Sequence, residues 1–257
     1  VTVLDYYSEI VRRFGTPQCA HPALPREIGS FRGHLPPGLL KFWSSFGWGS
    51  FGANTVWMCN PNLLRPVVNE IFRNDAMLSA RDLNAIAYEA FGNVVYLWHP
   101  RYKIIWLDMM FGDVIVPALR TNAGGEAEHM DDDDTVAGRG IYQIISQPNE
   151  WFDVMGQRLP EAASLKLGRL IPGEAFGFVQ PIQLGGANRL ENVRRLPILD
   201  YLQALIPLQT FNLICGAGGV DVDGQMAPVR ALPGGNQQFE GAGDHVSLAE
   251  TNGQSPP

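Results

Sequence analysis

The sequence predicts an α+β fold in two lobes: helices with a mainly antiparallel sheet, followed by a smaller, mostly helical lobe. Three observations carry this expectation. An amphipathic stripe opens the chain, short apolar runs punctuated by turn residues fill its middle, and helical spacing returns in the second half. The expected divisions are a first domain at 1–120, an acidic loop and linker at 121–150, a second domain at 151–212, and a flexible Gly- and Pro-rich tail at 213–257.

The elements follow in chain order. Val3, Tyr6, Tyr7, Ile10, Val11 and Phe14 recur with helical spacing, and Gly15 is a suitable stop. A polar stretch through Pro17, Pro22 and Pro25 separates this helix from a second. The second starts at Pro36-Pro37, where proline suits a first turn, carries Leu39, Phe42, Trp43 and Phe46 on one face, and ends at Gly47. Trp48 to Gly52 reads as an aromatic-glycine turn, Val56–Cys59 as a strand and Pro66–Phe72 as a short helix. Leu83–Ala90, Val94–Trp98, Lys103–Leu107 and Val114–Val116 are apolar runs broken by Gly92-Asn93, His99-Pro100 and Gly112-Asp113, the spacing of an antiparallel meander. Val94–Trp98 and Ile104–Leu107 lack alternation, as strands covered on both faces do. Gly140 to Ser146 fits a helix or a strand, and Pro148-Asn149 reads as a hinge. In the second half, Glu161–Leu170 reads as a helix and Phe176–Val179 as a strand. Asn188 is placed to cap a helix containing Leu190 and Val193. Pro197 breaks that helix or starts another through Ile198, Tyr201, Leu202 and Leu205.

Composition excludes several classes of function. Of 257 residues, 46% are hydrophobic and 18% charged, which supports a large core and argues against disorder. No run approaches the roughly 20 apolar residues of a membrane span, so no membrane partner is expected. Cys19, Cys59 and Cys215 form no Cys-x-x-Cys pair and read as reduced, mostly buried thiols, with the cytoplasm as the simplest location. The net charge of −7 is local in origin. Glu126, Glu128, Asp131, Asp132, Asp133 and Asp134 lie in a stretch without Lys or Arg; without these six, 26 − 6 = 20 acids face 19 bases. Direct nucleic-acid binding is disfavoured, because phosphate affinity needs clustered Lys and Arg. The acidic stretch itself reads as a solvated loop of about 15 residues, a length that is usually functional or disordered.

A search for chemistry finds no catalytic residues, cofactor or metal site. Gly216-Ala217-Gly218-Gly219 is not followed by Gly-Lys-Ser/Thr, and Asp221 stands where a dinucleotide fingerprint needs its last glycine. Asp221-Val222-Asp223-Gly224 lacks the glycine of a helical calcium loop, since Met226 occupies the sixth position. His129 beside Asp131–Asp134 offers hard ligands, but four consecutive acids point in different directions, and a solvated charge run is the simpler reading. Neither His-x-x-x-His nor Gly-x-Ser-x-Gly is present, and the aromatic stripe from Phe42 to Phe51 reads as core.

Two segments carry a family resemblance. Leu35 to Gly49, with its Leu-Pro start, aromatic helix and Gly47-Trp48-Gly49 turn, is similar to the GAD-like domain. So are Val56-Trp57-Met58-Cys59-Asn60-Pro61 and the pair Ala90-Phe91-Gly92-Asn93 with Tyr96-Leu97-Trp98. Phe176 to Pro181, Leu184-Gly185-Gly186 and Arg189 to Val193 resemble the small C-terminal domain commonly fused to it. The two-part order resembles immunity proteins against type VI secreted DNase effectors. The resemblance covers roughly residues 1–210; Pro197 interrupts a helix it implies, and the tail after Cys215 has no counterpart in it. It implies a tight one-to-one complex, a heterodimer with a cognate nuclease toxin, that blocks the active site or the DNA-binding surface. Under that implication, Glu126, Glu128 and Asp131–Asp134 are candidate toxin-binding residues, standing in for phosphates in a basic groove. The alternative is an interaction or immunity module of the broader SMI1/KNR4-like kind with a non-nuclease partner.

Overall fold

The computed structural model describes residues 5–120, 131–149, 151–217 and 228–235. The opening stripe forms α1 (Tyr6–Phe14), stopped by Gly15 in the left-handed region at φ 78°. The polar stretch after it is structured where none was expected. It holds β1 (Gln18–His21), an edge strand with four exposed residues, and α2 (Pro25–Ser30), a single short helix opened by proline. Then come α3 (Pro37–Phe46), β2 (Trp48–Phe51), β3 (Val56–Met58) and α4 (Arg65–Ile71). The expected turn at Trp48 to Gly52 is thus largely a buried strand, because it pairs with β1 on one side and β3 on the other.

The expected meander is present as β4 (Asn84–Glu89), β5 (Val94–His99), β6 (Lys103–Asp108) and β7 (Asp113–Arg120). On β5, Val95 and Leu97 enter one core while Val94, Tyr96 and Trp98 enter the other, so every residue of the strand is buried. Sequence alternation disappears because helices cover both faces of the sheet. The same expectation fails on β6, where Ile105 and Leu107 are buried but Trp106 is 42% exposed.

After β7 the chain forms α5 (Asp133–Ser146), which crosses the face already occupied by α1 and α3. It continues with α6 (Leu159–Leu167), β8 (Glu174–Phe178), β9 (Val193–Pro197) and α7 (Ile198–Leu205). Leu190 to Val193 is therefore a short 3-10 turn running into a strand, and no helix starts at Asn188. The Asn188 amide is occupied elsewhere: its oxygen accepts from the Trp151 indole at 2.9 Å and its nitrogen donates to the Phe152 carbonyl at 2.8 Å. Antiparallel pairing of β8 with β9 sets Phe176 opposite Arg195, whose guanidinium bonds the Glu174 carboxylate at 2.6 Å. The second half therefore mixes two helices with a two-stranded sheet.

The chain then returns to the large sheet. β10 (Thr210–Ala217) lies parallel to β7, and β11 (Pro228–Gly235) pairs antiparallel with β10, completing nine strands in the order β1-β2-β3-β4-β5-β6-β7-β10-β11. The expectation of a flexible tail from 213 is corrected for these two strands. Leu232 is buried, and Arg230 meets buried Asp75 at 2.6 Å. Gly234 lies so close to the end of α4 that a Cβ there would stand 2.3 Å from the Glu70 and Ile71 carbonyl oxygens. The Asp221–Gly224 motif, His129, Glu126 and Glu128 fall outside the described residues.

Candidate functional site

Three helices, α1, α3 and α5, lie together over one face of the sheet, and their packing is set by glycines. At Gly138 of α5 a Cβ would stand 2.9 Å from Tyr6 Cβ, so α5 and α1 are in near-backbone contact. Gly38, in the first turn of α3, leaves room for Asp134 Oδ1 and the Tyr7 ring, each 2.8 Å from where its Cβ would be. The Gly38 N–H donates to Asp134 Oδ1 at 2.5 Å, so a carboxylate of α5 caps the positive end of α3.

Asp132 to Asp134 therefore form a helix start, with Asp131 in the bend immediately before it. Asp132 is the N-cap of α5, accepting from the Thr135 N–H at 3.0 Å and the Thr135 hydroxyl at 2.9 Å. That N–H holds its carboxyl below the ordinary range. Helical geometry sends the four acids to different neighbours. Asp131 pairs with Arg139 at 2.7 Å and Asp133 with Lys103 at 2.6 Å. Asp132 and Asp134 turn the other way, toward a cavity of about 580 Å³ between α1, α3 and α5.

Asp5, Tyr7, Lys41 and Phe42 also line this cavity. Asp5 is the N-cap of α1, accepting from the Tyr7 and Ser8 N–H groups at 3.1 and 3.3 Å and from the Ser8 hydroxyl at 2.6 Å. The Ser8 hydroxyl bond is the main influence holding its carboxyl below the usual value. Burial raises the Tyr7 phenol, and Asp134, Asp5 and Asp132 raise it further. Asp5, Asp132 and Asp134 thus share this lining with Lys41, its one cation among the described residues.

A second feature joins the two halves. The turn after β4 inserts Phe91 against Trp151, Phe176 and Phe178, with ring centroids at 6.3, 5.6 and 5.7 Å. Beside it, the Phe176 N–H donates to the Ala90 carbonyl at 2.7 Å. Glu89 is buried with no cationic partner among the described residues and accepts from the Tyr96 hydroxyl at 2.6 Å, Asn93 Nδ2 at 2.8 Å, and the Asn149 N–H and Nδ2 at 3.1 and 3.0 Å. Burial pushes its carboxyl above the ordinary range against those donors. Asn149, expected as a hinge, is thereby bonded to the sheet.

Among the described residues no group of three or more His, Cys, Asp or Glu is placed to hold a metal ion. Also among them, no helix is long and apolar enough to cross a membrane. Cys59 is buried as expected, whereas Cys19 is exposed on β1. Sequence reasoning found Asp131–Asp134 by charge but missed Asp5, Tyr7 and Lys41. The available signal was Asp5 directly before an apolar helical stripe, the pattern of an N-cap.

Residues 5–110 match the family of the GAD-like domain, and residues 142–208 match the C-terminal part of the T6SS immunity protein Tdi1. The chain carries a GAD-like domain followed by a Tdi1-type C-terminal domain. The aromatic plug thus sits where these two meet, with Phe91 in the GAD-like domain and Trp151, Phe176 and Phe178 in the Tdi1-type domain. Among solved structures the chain is similar to Atu4351 from Agrobacterium tumefaciens, with a TM-score of 0.76 at 21% identity, covering 88% of this chain and 97% of that one. At that identity the likeness is one of fold. No curated protein matches the chain.

Proposed function

We propose that this chain is a cytoplasmic immunity protein of a type VI secretion system that neutralises a cognate DNase toxin by one-to-one binding. The observation that carries this reading is the Tdi1-type domain directly following a GAD-like domain. Neutralisation needs only a surface that covers the toxin's active site or its DNA-binding groove. A DNA-binding groove is basic, and the acidic start of α5, Asp131 to Asp134, is the complementary patch that steers encounter, together with Glu126 and Glu128.

The test is a pull-down of the partner with the tagged chain, followed by a DNA-degradation assay of that partner with and without equimolar chain. Loss of cleavage at one-to-one stoichiometry supports the reading. A stable complex whose partner cleaves no DNA, or cleaves equally well when bound, refutes DNase inhibition and favours an interaction module for another toxin.

A further inference from the structure

We propose that Phe111, on the turn between β6 and β7, is an anchor that inserts into an apolar pocket rimmed by lysine or arginine on the partner protein, an assignment that rests on the immunity reading above. Its ring is 73% exposed, whereas Met109 and Met110 of the same turn are buried. The turn is held by side chains from three parts of the fold. Asp108 Oδ1 accepts the Met110 and Phe111 N–H groups at 2.8 and 3.0 Å. Gln209 Nε2 donates to the Met109 carbonyl at 2.8 Å, and Gln183 Nε2 donates to the Met109 and Met110 carbonyls, both at 3.2 Å. On the far side of Phe111, the Asn212 N–H donates to the Gly112 carbonyl at 2.7 Å. The backbone that carries the ring is thus fixed before any partner arrives, so binding has little more than one side chain to order. An exposed aromatic ring on a rigid support is the kind of group that dominates a protein interface.

Charge says what the surface fits. Asp108 and Asp113 are opposite one another in the β6–β7 register, at the base of the turn, and both are partly buried. Among the described residues neither forms an ion pair. Burial raises both carboxyls, and Asp108 raises that of Asp113 further. A cation brought by a partner offsets both the burial and the mutual repulsion. The Gln183 bonds also bring the neighbouring Leu184, 58% exposed, to this end of the sheet, so the second domain contributes to the same surface. A ring and a leucine beside two carboxylates that lack cations complement an apolar pocket with a basic rim. A protein that grips DNA carries the Lys and Arg such a rim requires.

The experiment uses the full chain and the partner recovered with it in the pull-down, with affinity and dissociation rate measured by surface plasmon resonance. Phe111→Ala and Leu184→Ala truncate the surface without touching the bonds that hold the turn. Leu165→Ala, at a position 90% exposed on α6, is the control. Phe111→Ala is expected to lose at least tenfold in affinity, through faster dissociation, with an unchanged melting temperature. Leu184→Ala is expected to lose about threefold or more, and the control less than about twofold. Asp113→Asn is expected to weaken binding and to flatten its dependence on salt. Equal losses at Phe111 and Leu165, or unchanged affinity for Phe111→Ala, overturn the anchor while leaving the immunity reading intact. Unaltered salt dependence in Asp113→Asn overturns the basic rim. A Phe111→Ala chain that loses self-association in sedimentation velocity but keeps its partner also overturns the anchor, since the surface then belongs to a second copy. Absence of any complex with the unaltered chain overturns both readings.

Discussion

Replacing Phe91 by alanine removes a ring that is 1% exposed and that three other rings, Trp151, Phe176 and Phe178, surround. Large-to-small changes of this kind in a close-packed core cost about 3–5 kcal/mol, since the cavity only partly collapses. With aromatic neighbours on several sides, about 4 kcal/mol is the expected loss. For a chain this long a urea slope near the upper end of about 1–3 kcal/mol/M applies, so the unfolding midpoint should fall by about 1.3 M. The assay is equilibrium urea unfolding of the wild type, Phe91→Ala and Phe91→Leu, with hydrogen exchange at the Phe176 amide, which donates to the Ala90 carbonyl. Leucine should restore more than half of the stability, and the Phe176 amide should lose protection only in the alanine variant. A loss below about 1.5 kcal/mol, the size of a single-methyl deletion, would refute the plug as the joint between the two domains.

Other perturbations have signs fixed by the structure. Glu89 has a folded-state pKa raised by burial, so its contribution to stability is full below the unfolded value of about 4.3 and is lost as pH rises through the folded value. Glu89→Gln should therefore gain on the wild type as pH rises from 4 toward 7; parallel stability profiles for the two proteins would contradict this. Asp75 behaves oppositely. Burial works against its ionised form, but Arg230 and the Leu78 and Met77 N–H groups outweigh it and lower the pKa. Arg230→Met should cost on the order of 2 kcal/mol at pH 7, less than a fully buried pair because Arg230 is partly exposed, and the deficit should shrink as pH falls through the acid range. Thermal melts at pH 7 and pH 3 check it. Gly112→Ala should lower the melting temperature by several degrees, since φ is 73° and a Cβ there would stand 2.2 Å from the Thr210 carbonyl oxygen.

What the sequence revealed and what it concealed have physical causes. The meander β4–β7 and helices α1, α3, α4, α6 and α7 were legible because their periodicity or proline and glycine boundaries are local properties. β1 and β2 were not, since a four-residue strand carries little pattern and its evidence is a partner elsewhere in the chain. β9 was misread as helix because Leu190 and Val193 have helical spacing, while what decides the matter is pairing with β8. Asp131–Asp134 stood out by composition, yet their division between two ion pairs and one cavity depends on α5 starting at that point. The pocket needs Asp5, Gly38 and Asp134 from three separate helices, and no local spacing records that meeting.

The parallel pairing of β10 with β7 has a consequence for synthesis. The ribosome delivers Thr210 about 90 residues after Arg120, so β7 emerges as an open rim long before its neighbour exists. A naked rim of that length invites pairing with another nascent chain. The sheet of the first domain is thus extended by strands that follow the second in the chain, and a chain cut short before Thr210 presents a sticky border where this one presents a closed seam.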